Sequence, residues 1–288
     1  MAAALEIKGL KKEFKDFALK GIDLTLESGY IMGFIGPNGA GKSTTIKLIM
    51  NLLKRDSGEI NIFGKDNIKY EQEIKNRIGF VYDENHFYEE LTVSEMKWVI
   101  APLYRTWDEK AFKKYIKLFQ LPLQRKIKEL SKGMKMKFSL AVALSHNADL
   151  LIMDEPTSGL DPVVRSELLD ILSEIIQDER KSVFFSTHIT SDLEKIADYI
   201  TMIHQGEIIL SMAKDDIINS YGMVKGGKEL LDRDSRNNFI GIRENSFGFE
   251  ALTDDRNRIK KLFGNRVIVE NPTLDEILLF YTRRVQNA

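Results

Sequence analysis

The sequence predicts an α/β protein: a parallel sheet covered by helices, an antiparallel β subdomain beside it, a helical insertion, and a small α+β appendage towards the C-terminal end. Three observations carry this expectation. Residues 30–35, 150–153, 183–185 and 199–203 are short, nearly continuous apolar runs, the pattern of strands buried on both faces. Leu5 and Ile7, Leu24 and Leu26, and Ile60 and Ile62 instead alternate with polar residues, as half-buried antiparallel strands do. Between these sets, residues 91–145 show helical spacing and no strand-like alternation.

Taken in order, residues 1–10 alternate charged and apolar side chains, and no long apolar stretch marks a secretory leader. Residues 30–35 run directly into GPNGAGKST at 36–44, which matches G-x-x-x-x-G-K-[ST] through Gly36, Gly41, Lys42 and Ser43. Gly36, Gly39 and Gly41 let the backbone curl so that its N–H groups converge on phosphate oxygens, with Asn38, Ala40 and Thr44 in the same loop. Lys42 then reaches the β and γ phosphates, and Ser43 offers a hydroxyl to Mg²⁺. Residues 44–53 continue as a helix whose positive N-terminal end faces the anion.

The last helix of the insertion places Met134, Phe138, Ala141 and Val142 at i, i+4, i+7 and i+8, a core-facing stripe. LLIMDE follows at 150–155. Adjacent carboxylates at a buried strand end cost desolvation unless a cation or water meets them, so Asp154 is assigned to Mg²⁺ and Glu155 to general-base activation of water. Helices over 163–177 and 191–197 separate the later strands, and Gln205-Gly206 reads as a hairpin turn between 199–204 and 207–211. The nucleotide-binding domain is therefore expected over 1–211 and the accessory region over 212–288. In the latter the pattern predicts a helix over 214–221, a Gly-rich break at 222–227, strands at 239–243 and 267–269, and a helix over 255–263 between them. Thr273 and Glu276, at capping-box spacing, open a terminal helix with Leu274, Ile277, Leu278 and Tyr281 on one stripe; Leu279 and Phe280 lie beyond it, available to a partner.

Composition bounds the function. At 288 residues and 43% hydrophobic content the chain can bury a large core. Its net charge of -1 and pI near 6.5 lack the basic excess usual in nucleic-acid binders. There are no cysteines, which excludes disulfides and thiolate metal or redox chemistry and fits a reducing compartment. Nowhere do about 18 apolar residues run together, so any membrane role must come through a partner. Arg125, Lys126, Lys128, Lys132, Lys135 and Lys137 form a basic run with only Glu129 opposing it nearby in sequence, either a solvated face or one close to phosphates or anionic lipid.

These motifs in this order resemble the ATP-binding cassette (ABC) ATPase subunits over residues 5–207. The resemblance implies a P-loop NTPase (RecA-like) core that binds ATP and Mg²⁺. It places Asp83, in IGFVYD, where the family carries a glutamine; a carboxylate there can contact the metal, and Glu84 beside it could take the same role. LSKGM at 130–134 stands for the family's LSGGQ and retains Ser131 and Gly133, which would act on ATP held by an opposing subunit. SGLD at 158–161 resembles the loop linking the two sites, with Asp161 a nucleotide contact, and His188 resembles the switch histidine at the γ-phosphate. His86, His146 and His204 read as cap or surface residues. Phe14, with Phe17 as its substitute, would stack on adenine, although each could equally be core.

The implied function is the ATPase subunit of a membrane transporter, peripheral on the cytoplasmic face. It would work with a second ATPase subunit, identical or not, and a separate permease seated near residues 83–91. No nucleic-acid partner is expected. DENHFYEELT, LSKGMKMK, FFSTHITSDL and ENPTLDEILLFY look most similar to bacterial ABC-2 exporters, including those for antimicrobial or surfactant-like peptides. The alternative is a related ATPase that regulates or senses through a partner without transport.

Overall fold

A computed structural model of the chain describes residues 3–83 and 86–286. Within it the chain separates into two compact units, 1–208 and 209–288; the expected boundary at 211 falls inside a strand.

In the first unit β1 (Ala3–Glu13) and β2 (Ala18–Glu27) pair antiparallel, so the alternation at Leu5, Ile7, Leu24 and Leu26 sends these side chains to one buried face. β3 (Ile31–Ile35) is buried at every residue and delivers the chain through the glycine-rich loop into α1 (Lys42–Ile49). β4 (Ser57–Ile62) and β5 (Lys65–Asp66) complete the antiparallel sheet, and α2 (Glu71–Lys75) leads to β6 (Ile78–Val81). The insertion contributes α3 (Val93–Ile100), α4 (Glu109–Leu118) and α5 (Lys132–Leu144). The chain then alternates β7 (Leu150–Asp154), α6 (Pro162–Ile175), β8 (Ser182–Thr187), α7 (Thr190–Ile196) and β9 (Tyr199–His204), and β10 starts at Glu207 (Glu207–Ala213). The sheet order is β10-β9-β3-β8-β7-β6, parallel from β9 to β6. Both sheets feed one core, where Leu5, Ile7, Leu26 and Ile60 join Phe34, Ile46 and Phe184. The hairpin after β9 turns on Gln205 and Gly206, both at positive φ, and a Cβ on Gly206 would lie 1.8 Å from the Ala18 carbonyl oxygen.

The second unit holds α8 (Lys214–Ser220), β11 (Gly222–Gly226), β12 (Gly241–Glu244), β13 (Phe249–Thr253), α9 (Arg256–Phe263), β14 (Ile268–Glu270) and α10 (Leu274–Gln286). Its strand order is β12-β13-β11-β14, all antiparallel.

Four expectations need correction. Residues 222–226 are an interior strand, not a break: a Cβ on Gly222 would press on Val269, and one on Gly226 on Phe249, so glycine serves close packing here. The stripe on α5 is broader than Met134, Phe138, Ala141 and Val142, because Met136, Leu140 and Ala143 are buried as well and Met134 only half-buried. On α10 the buried positions are Leu274, Ile277 and Phe280; the Phe280 ring fills the space above Gly241 instead of facing a partner. His146 is 1% exposed, a core residue rather than a cap or surface one.

Candidate active site

The phosphate loop runs directly into the N-terminus of α1. Gly41 is the N-cap of α1 at φ 118°, and a Cβ there would meet Leu19 at 2.7 Å and Phe17 at 2.9 Å. A Cβ on Gly36 would come within 2.2 Å of the Ile203 carbonyl oxygen, so neither glycine can be replaced without moving the loop. The first turn of α1 (Lys42, Ser43, Thr44) lines a cleft of about 500 Å³ together with Asn38, Gly39, Phe17, Asp83, Glu155, Ser158 and His188. Backbone N–H groups at this helix start give the cleft a positive end suited to an anion.

Two strand ends supply the acids. Asp154, the last residue of β7, is buried and accepts a 2.6 Å hydrogen bond from the Ser186 hydroxyl on neighbouring β8. Burial, aided by this carboxylate, pushes the Tyr82 phenol pKa up. Glu155 follows at φ 50°, a left-handed conformation that costs a non-glycine residue about 1 kcal/mol or more and marks a strained functional turn. There its Oε1 lies 3.1 Å from Lys42 Nζ, while its Oε2 accepts from His188 Nδ1 at 2.7 Å and from the His188 backbone N–H at 3.2 Å. Lys42 also donates to the Gly36 carbonyl at 2.8 Å. One carboxylate thus joins the phosphate-loop lysine to the histidine after β8. Lys42 and Glu155 are 6% and 12% exposed, so their attraction is little screened by solvent.

Of the expected residues, Asn38, Gly39, Gly41, Lys42, Ser43, Thr44, Asp83, Glu155 and His188 meet around this cleft. Gly36 and Ala40 belong to the same loop without lining the cleft, and Asp154 is buried outside the lining. Phe17, not Phe14, lines the cleft, its ring tip against Gly41; Phe14 is 42% exposed and outside the lining, its N–H bonded to the Phe17 carbonyl in the same turn. Ser131 and Gly133 stay away from their own chain's cleft. Ser131 is exposed and caps α5 by accepting from Met134 N–H at 3.2 Å. Asp161 likewise caps α6, accepting from Val163 and Val164 N–H, and does not line the cleft. Ser158, which does, went unselected among the candidate residues; its place in the loop immediately after the acidic pair was the available signal.

Asp83 pairs with Lys132 of the LSKGM segment at 3.4 Å. Glu84 lies outside the described residues. The basic run is not opposed by Glu129 alone: Lys126 and Lys128 bond Glu90, Lys135 bonds Glu89 and Lys137 bonds Glu167, so most of this face is neutralised by acids distant in sequence.

Residues 19–158 match the profile of the ABC transporter family. The chain is 34% identical over 198 residues to the bacitracin transport ATP-binding protein BcrA of Bacillus licheniformis, covering 68% of this chain and 65% of that protein. It is 33% identical over 209 residues to the ABC transporter ATP-binding protein NatA of Bacillus subtilis (strain 168), covering 70% of this chain and 85% of that one. Among solved structures, an ATP-binding subunit of an ABC transporter superposes with a TM-score of 0.67 at 29% identity, over 75% of this chain and 92% of its own.

Proposed function

The chain belongs to the ABC transporter family, and from that premise we propose that it is the ATP-hydrolysing subunit that energises a separate membrane permease. The observation that carries the chemistry is Glu155, whose two carboxylate oxygens hold Lys42 and His188 within one cleft. Binding ATP draws Lys42 towards the β and γ phosphates and releases Glu155 Oε1 from it. Glu155 then takes the proton of the attacking water while His188, donating to Oε2, keeps the carboxylate aimed. Phe17, which lines the cleft, would stack on the base.

The donor set fits Mg²⁺. Among the described residues no three acidic or histidine side chains gather into a metal cage, and Mg²⁺ at phosphates is held by one or two carboxylates with water. The Ser43 hydroxyl with Asp154 and Asp83 would hold it, and it would neutralise charge developing on the phosphates. Because Ser131 and Gly133 do not line their own chain's cleft, they would serve the nucleotide of a second subunit, and the working unit is a dimer. No helix among the described residues is long and apolar enough to cross a membrane; in this reading a separate permease carries translocation and the ATPase works peripherally on the cytoplasmic face. The likeness to BcrA, together with that to ABC-2 exporters, supports export of a peptide or other amphipathic compound.

The test is Glu155→Gln. It should keep nucleotide affinity within a few fold, since it frees Lys42, and lower turnover by about 10²- to 10⁴-fold. Unchanged turnover would remove Glu155 as the base. The same variant, captured with ATP from solubilised native membranes, should bring down a multi-span protein; only soluble proteins in that fraction would refute the transporter reading and leave the ATPase.

A further inference from the structure

We propose that Arg165 and Asp192 form a positioning lock that holds His188 against Glu155 and ties that contact to the LSKGM segment; the proposal rests on the ATPase reading above. Asp192 sits in the first turn of α7, four residues after His188, and is 1% exposed. A buried carboxylate needs a cation, and Arg165 of α6 supplies it, with Nε 2.5 Å from Oδ1. Arg165 also donates from Nη2 to the Ser191 hydroxyl at 2.9 Å, so its planar fork grips two successive residues. The second Asp192 oxygen is buried without a hydrogen-bond partner among the described residues, which leaves Arg165 as its main support.

The grip matters because the N-cap position of α7 is Ile189, whose side chain makes no cap, so that beside the Ile189 N–H bond to the Thr187 hydroxyl at 3.0 Å the turn has no side-chain cap of its own. His188 lies immediately before it and meets Glu155 Oε2 with both its backbone N–H and its ring. Any tilt of this turn therefore moves both contacts together. At the other end, Arg165 belongs to the first turn of α6, whose cap is Asp161 and whose Val164 packs so closely on Gly133 that a Cβ there would lie 2.9 Å away. Gly133 to Val164, then Arg165 to Asp192, is an unbroken line of packing and charge from the segment offered to the second subunit to the histidine beside the base. Displacement of the segment by a phosphate would thus reach Glu155 without passing through the phosphate loop.

Removing one partner of a buried pair leaves a stranded charge, whereas replacing both is often neutral for stability. The decisive variant is therefore Arg165→Met with Asp192→Asn, compared in the full chain with wild type, His188→Ala and the triple combination. We expect kcat to fall about 10- to 100-fold, KM for ATP to stay within about threefold, and His188→Ala to add less than about twofold in the double background. Arg165→Lys, which keeps the charge but loses the fork, should fall between wild type and the double variant, and it carries the test if the double variant does not fold. A kcat within twofold of wild type, a rise in KM that matches the loss of kcat, or losses that multiply with His188→Ala would each overturn the lock alone. Absence of hydrolysis by wild type would overturn the ATPase reading and the lock with it.

Discussion

Among the described residues two lysine–carboxylate pairs touch the cleft, and their surroundings decide what each is worth. Lys42 and Glu155 are almost fully enclosed, whereas Lys132 and Asp83 are 48% and 42% exposed. An exposed pair gains about 0–1 kcal/mol after screening and side-chain ordering are counted. A double-mutant cycle with Asp83→Asn and Lys132→Gln, read by urea unfolding, should therefore give a coupling below about 1 kcal/mol that fades in high salt. A coupling above about 2 kcal/mol would mean that the pair is desolvated. That the two residues meet could not be read from the chain, since 49 positions separate them.

His146 shows how elements are joined. It follows α5, stacks on Tyr104 at 3.8 Å between centroids, and places Nε2 2.9 Å from the Ile78 carbonyl of β6 and Nδ1 3.2 Å from that of Val142. A neutral imidazole donates to only one of these, and the shorter contact assigns the proton to Nε2. Burial lowers its pKa below the ordinary 6.5, with the two carbonyls opposing the shift. Because the folded state then binds fewer protons than the unfolded one, stability from this group is complete above pH 6.5 and is lost as pH falls through the depressed folded value. The unfolding free energy should fall on acidification below pH 6.5, by at most about 1.4 kcal/mol per pH unit from this residue, with the thermal midpoint falling in step, and His146→Phe should flatten that slope. An identical slope in the variant would dismiss the histidine as its source. β6 itself escaped the sequence pattern because it is four residues long and contains Gly79, and β11 because its two glycines look like a turn until their neighbours are known.

At the scale of the molecule, every residue lining the cleft precedes residue 209, where the second compact unit begins. The second unit has its own core, with Val224, Phe249, Ala251 and Ile259 at its centre. A chain ending after β10, at Ala213, should therefore fold and bind ATP within about threefold of the full chain. Loss of binding with the fold retained would assign the second unit a share in the site. The near-zero net charge holds locally too, since Asp83, the adjacent Glu89 and Glu90, and Glu167 meet the basic run.

The sequence by itself determined the phosphate loop, the acidic pair, the alternation that separates the two sheets, and the capping box at Thr273, where Thr273 N–H donates to Glu276 at 2.8 Å. Each depends on residues within a few positions of one another, where backbone geometry leaves few choices. Tertiary structure alone decided that Phe17 rather than Phe14 enters the cleft, that Glu155 reaches Lys42 and His188 at once, and that Arg165 holds Asp192. Those contacts join strand ends and helix starts far apart in the chain, and their partners are chosen by sheet order and burial, which no local pattern encodes.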